Sequence, residues 1–132
     1  MTHVSWLAVL LCGVATLLIG GLWYSPLLFA RAWQNEAGVS DEALRSGSMP
    51  LRFGGAFLLG MLAGAVFALF IGTEMGLAQA TAAGAAAGIA WVAASFGVNY
   101  LFERRSLRLW LINGGYHAVQ FIAFGAIIGA LQ

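Results

Sequence analysis

Leu107–Leu131 reads LRLWLINGGYHAVQFIAFGAIIGAL. It carries a single arginine, Arg108, at its start and no proline. It therefore exceeds the ~20 apolar residues that cross a ~30 Å hydrocarbon core. A backbone in lipid must satisfy its own hydrogen bonds, and this stretch lacks the period-2 alternation of a barrel strand, so it reads as a transmembrane helix. Three more segments of the same character precede it, at about residues 4–28, 53–72 and 77–102.

With 61% hydrophobic and 8% charged residues and a mean hydropathy of +0.89, the chain has too little polar surface to coat a soluble globule. The predicted fold is an all-α, integral-membrane four-helix bundle that uses residues 1–132 as one domain. The first segment is expected to be a retained helix rather than a cleaved signal, because MTHVSW has no Lys or Arg and no Ala-x-Ala site follows.

Lysine is absent, and the six arginines are Arg31, Arg45, Arg52, Arg104, Arg105 and Arg108. All lie in or beside the first and third loops, whereas the second loop, GTEMGLAQ, and both tails have none. The positive-inside rule then puts the arginine loops in the cytoplasm and both termini outside. A net charge of +1 argues against a nucleic-acid partner; the arginine rims suit anionic headgroups of the bilayer. Cys12 is the only cysteine, so no internal disulfide forms.

Helices in lipid associate through close approach of small residues and interhelical hydrogen bonds. Ala56, Gly60, Gly64, Ala68 and Gly72 repeat every four residues, Gly84 and Gly88 follow in the third segment, and Gly125 and Gly129 in the fourth. This abundance points to seams within a bundle and to others between protomers, hence to a homo-oligomer or a larger membrane complex. A faint internal repeat aligns Tyr24 with Tyr100 and GGAF at Gly54 with GGYH at Gly114, as two parallel hairpins would. The loop 29–52 is then an insertion, in which SDEAL reads as a short surface helix capped by Ser40.

GGLWYSPLLFARAW, residues 20–33, holds Trp23, Tyr24, Ser25 and Pro26. Pro26 removes a donor and clashes with the carbonyl of Leu22, so the helix must kink or stop there. Either the motif is an aromatic belt, shared with Trp33, plus a proline stop, or the freed carbonyl and Ser25 face a vestibule.

In the last segment Asn113, His117 and Gln120 stand at i, i+4 and i+7 with Tyr116 beside them. His117 is ten residues past Leu107, ~15 Å deep, close to mid-bilayer. Such a stripe must face a bundle interior or a wet cavity, either as a functional site or as hydrogen-bonding glue. Ser95, Asn99 and Glu103 repeat every four residues in the third segment and are the expected partners, with Thr16 and Ser25. The line they would form reaches only the cytoplasmic side, which predicts a pocket closed on the outside. Glu103 reads alternatively as an ion-pair anchor with Arg104 and Arg105.

There is no metal-ligand spacing, phosphate loop or nucleophile elbow, and His3 and His117 should lie at different depths. No metal site and no enzyme are expected, and the residues name no cofactor. GGLWYSPLLFARAW together with NYLFERRSLRLWLINGGYHAVQF, residues 99–121, resembles a small bacterial membrane-protein family catalogued as domain of unknown function 1761. That family often has Gly-Lys where Ala30 and Arg31 stand here. The resemblance implies four helices in a bacterial cytoplasmic membrane and no established activity. Three functions remain: a homo-oligomeric transporter or channel, an accessory or assembly subunit of a larger membrane complex, or a binder of a lipid or hydrophobic cofactor with His117 as a ligand or hydrogen-bond donor and Trp91 and Tyr116 lining its pocket.

Overall fold

The computed structural model describes residues 4–132, so His3 lies outside the described residues. Four helices are long and apolar enough to cross a membrane: α1 (Trp6–Trp23), α4 (Met49–Ile71), α5 (Leu77–Glu103) and α6 (Leu107–Leu131). Two short helices, α2 (Ala30–Ala37) and α3 (Asp41–Arg45), lie between the first two spans. No strand occurs among the described residues. The fold is an all-α membrane helical bundle.

Helix α1 packs along α4 on one side and α6 on the other, and α6 packs along α5, giving the spatial order α4, α1, α6, α5. The seams are built on glycine. A Cβ at Gly64 would lie 2.6 Å from that of Cys12, and one at Gly60 would collide with Thr16. Between α5 and α6, a Cβ at Gly84 would strike the Phe121 carbonyl and one at Gly125 the Ala80 carbonyl; one at Gly88 would lie 2.9 Å from the Ala118 Cα and one at Gly129 2.8 Å from the Ala80 Cβ. These six glycines all serve seams inside one chain.

At the end of the bundle opposite the arginines, Ala8, Cys12, Phe67, Ala68, Ala87, Phe124 and Ile128 form a closed core. Gln132 ties this end together: its Oε1 accepts from the Ser5 backbone N–H at 3.0 Å and its Nε2 donates to the Gly72 carbonyl at 3.4 Å.

Two boundaries differ from the hydropathy reading. Helix α1 stops at Trp23 rather than continuing to residue 28, because Pro26 cannot donate to the Leu22 carbonyl. Helix α4 begins four residues before 53, since Ser48 caps it by accepting from the Leu51 N–H at 3.2 Å and Pro50 fits its first turn. The segment after α1 also forms a helix that hydropathy did not mark, α2, which ends at Gly38 with φ +71°.

Candidate membrane-embedded site

A half-open cavity of about 740 Å³ occupies the arginine-bearing half of the bundle. Thr16 and Gly20 of α1, Tyr24 just past its end, and Asn113, Tyr116 and His117 of α6 line it, together with Phe53 and Ala56 of α4 and Phe96 of α5. Trp33, Gln34 and Leu44 from the α2–α3 segment cover its end. Helices α4 and α5 meet farther along, where Phe70 packs edge-on against Trp91 at 6.1 Å. Elsewhere α4 and α5 barely touch, so the cavity walls they supply are not closed against each other. Most of the lining is apolar, and Arg52 is its only charged residue.

The polar stripe of α6 is bound to α1 and α5 by side-chain hydrogen bonds. Tyr24 Oη donates to Asn113 Oδ1 at 2.6 Å, and Asn113 Nδ2 donates to Tyr100 Oη at 2.7 Å. One asparagine thereby joins the two tyrosines that the internal alignment pairs. Trp23 Nε1 donates to the Ile112 carbonyl at 2.8 Å, and Tyr116 Oη donates to the Thr16 carbonyl at 2.8 Å. Gln120 is buried behind the cavity wall rather than on it.

A directed relay fixes His117. The Thr16 hydroxyl donates to the Cys12 carbonyl at 2.9 Å, so its oxygen accepts from Gln120 Nε2 at 3.0 Å. That turns the Gln120 carbonyl oxygen toward His117 Nδ1, 2.7 Å away. Facing an acceptor, Nδ1 carries a proton; the lining holds no carboxylate to pair an imidazolium, so the ring is taken as neutral and Nε2 as its lone-pair nitrogen. The ring is clamped: it stacks on Phe96 at 5.0 Å and 19°, and Tyr116 meets it edge-on at 4.8 Å. Nε2 has no hydrogen-bond partner among the described residues, and none of their buried side-chain polar atoms is left unpaired, so Nε2 is accessible on a residue that lines the cavity.

Ser95, Asn99 and Glu103 do not join this site. All three are exposed; Ser95 bonds back to the Trp91 carbonyl at 2.6 Å, and Glu103 lies 3.7 Å from Arg105 Nε at the surface. The cause is a wide π-type turn over Gly88–Ala93. The α5 face toward α6 presents Ala80, Gly84 and Gly88, and at ordinary helical spacing would next present Ser95 and Asn99. One extra residue in the turn makes it resume at Phe96 and Tyr100 instead. Trp110 of α6 supports the turn by donating from Nε1 to the Ala93 carbonyl at 2.7 Å. Trp91, inside that turn, is exposed rather than lining the cavity.

Ser25 likewise turns away from the cavity. Its Oγ donates to the Leu22 carbonyl at 2.7 Å and its N–H to the same oxygen at 3.2 Å, satisfying the acceptor that Pro26 strands. Of the proline motif only Tyr24 lines the cavity. Phe96, Tyr100 and the lid residues escaped the sequence reading; the one signal for Tyr100 was its alignment with Tyr24.

Residues 7–129 match the family described as Protein of unknown function (DUF1761). The chain belongs to that family. No curated protein and no solved structure matches it.

In this DUF1761 protein the lid over the cavity is pinned from two sides. Ser106 Oγ, which caps α6 by accepting from the Leu109 N–H, donates to Glu36 Oε2 of α2 at 2.6 Å. Arg52 Nη1 donates to the Leu44 carbonyl at the end of α3 at 2.7 Å, and Gln34 Nε2 reaches Asp41 Oδ1 at 2.8 Å. No group of three or more His, Cys, Asp or Glu side chains able to hold a metal occurs among the described residues. The chemistry on offer is a mostly apolar cleft with one oriented imidazole.

Proposed function

We propose that this DUF1761 protein is a non-catalytic membrane protein that holds a small amphiphilic molecule in the α4–α5 cleft, entered from the cytoplasmic leaflet. The observation that carries this reading is the cavity itself: its volume lies in the range of small-molecule sites, its walls are apolar, and few polar groups converge on it. The cytoplasmic assignment of the arginine-bearing end follows from the positions of the six arginines. The closed core at the opposite end speaks for a blind cleft rather than an open pore.

Transport of that molecule is the second reading. It is favoured by the break between α1 and α2, where a hinge at Tyr24–Phe29 would let the pinned lid swing and expose the cleft to water.

The test is native mass spectrometry of the protein released in mild detergent from the membrane in which it was made, followed by extraction of bound small molecules. Ala56→Trp fills the cleft from α4 without touching any hydrogen bond of the α6 stripe. A retained hydrophobic molecule that disappears in Ala56→Trp is the expected result. Identical spectra for wild type and variant, with no added mass, would sink the proposal.

A further inference from the structure

Resting on the cleft reading above, we infer that the molecule bound there is neutral and carries a hydrogen-bond donor, a hydroxyl or N–H, on an otherwise hydrocarbon body, and that the donor is delivered to Nε2 of His117.

The polarity of the site follows from the relay. Because Thr16 spends its proton on the Cys12 carbonyl, Gln120 must donate to Thr16 and can only accept from His117. The imidazole therefore shows the cleft its lone pair. The hydroxyl protons of the α1 and α6 walls are already placed within the protein, Tyr24 on Asn113 and Tyr116 on the Thr16 carbonyl, and Asn113 gives one of its two amide protons to Tyr100. A ligand that brings only acceptors finds on these two walls the second Asn113 N–H and no free hydroxyl proton. One that brings a single donor completes the His117 ring.

The charge follows as well. Arg52 is the only cation of the lining, and its guanidinium is directed to the carbonyls of Leu44 and Ala43, at 2.7 and 3.4 Å. It holds the lid and lies at the start of α4, not beside the imidazole on α6. A carboxylate or phosphate buried next to His117 would lose its hydration without a cation to replace it. The remaining walls, Leu17, Phe53, Ala56 and Phe96 with the bare backbone of Gly20 and Gly21, suit a hydrocarbon chain or ring system.

The experiment uses the full chain in nanodiscs doped with one of three deuterated probes: hexadecan-1-ol, its methyl ether, or hexadecane. Probe retained per protein is measured by mass spectrometry after washing with probe-free nanodiscs. The expected result is retention of the alcohol over the ether by about tenfold, the factor a net hydrogen bond produces. His117→Phe should reduce that ratio to near one while ether retention persists. Equal retention of alcohol and ether by the wild-type protein overturns the donor inference and leaves the cleft reading standing. Retention of no probe above the Ala56→Trp background overturns both. Because the deciding comparison is made on the wild-type protein, a variant that fails to fold does not obscure it.

Discussion

Gly125 and Gly21 differ by what surrounds their missing side chains. At Gly125 a methyl group would land on the Ala80 carbonyl, a backbone atom that cannot rotate away, whereas at Gly21 nothing lies within 4 Å. Gly125→Ala is expected to cost ~1–3 kcal/mol by forcing α5 and α6 apart, and Gly21→Ala to stay within ~0.5 kcal/mol; thermal unfolding of both variants in detergent checks the contrast. The relay behind His117 is a second residue-scale case. Gln120→Leu strands Thr16 Oγ1 and His117 Nδ1 together, and should destabilise by ~1–3 kcal/mol. It should also abolish the preference for a donor-bearing ligand, because Nδ1 no longer has a fixed acceptor to hold its proton. A Gln120→Leu protein that melts with wild type and keeps that preference would show the relay to be inert. The stripe Asn113, His117, Gln120 was legible in the sequence for a simple reason: α6 runs unbroken from Leu107 to Leu131, so helical spacing converts directly into a face.

The same arithmetic failed one element away. Ser95, Asn99 and Glu103 are as regular in sequence as the α6 stripe, yet the π-type turn at Gly88–Ala93 rotates them out and brings Phe96 and Tyr100 in. Hydropathy and spacing carry no mark of an added residue, since alanine, isoleucine and valine fit either kind of turn. A turn with one residue too many makes a distinctive prediction. Deleting the exposed Ala90 should convert α5 into a continuous α-helix while keeping Phe96 against His117 and Tyr100 on Asn113, so the protein should fold and bind. Inserting an alanine beside Ala90 should rotate both aromatics by ~100° away from α6 and abolish binding. Circular dichroism and probe retention measured on the pair decide it; a tolerated insertion would contradict the register argument. The α1 break shows the complementary situation. Pro26 announces a stop in any sequence, but that Ser25 would spend its hydroxyl on the stranded Leu22 carbonyl depends on a rotamer that no spacing rule encodes.

For the molecule as a whole, the order α4, α1, α6, α5 leaves α4 and α5 in contact only beyond the cavity, where Phe70 meets Trp91, and the candidate site lies where they stay apart. Four apolar stretches told where helices would run, but not which two would stay apart, because separation depends on the sum of every seam. The arginine pattern makes a prediction at this scale. Alkaline phosphatase fused after Gln132 or within the 72–76 turn should be active in a bacterial host, and fused after Gly47 inactive; the reverse pattern would invert the leaflet assigned to the cleft. The gap between α4 and α5 has one more consequence. A molecule reaching His117 through it arrives already dissolved in hydrocarbon and leaves little water behind. Occupancy then follows the mole fraction of that molecule among the lipids rather than its concentration in the aqueous phase, and diluting the bilayer with inert lipid should empty the cleft while diluting the buffer leaves it filled.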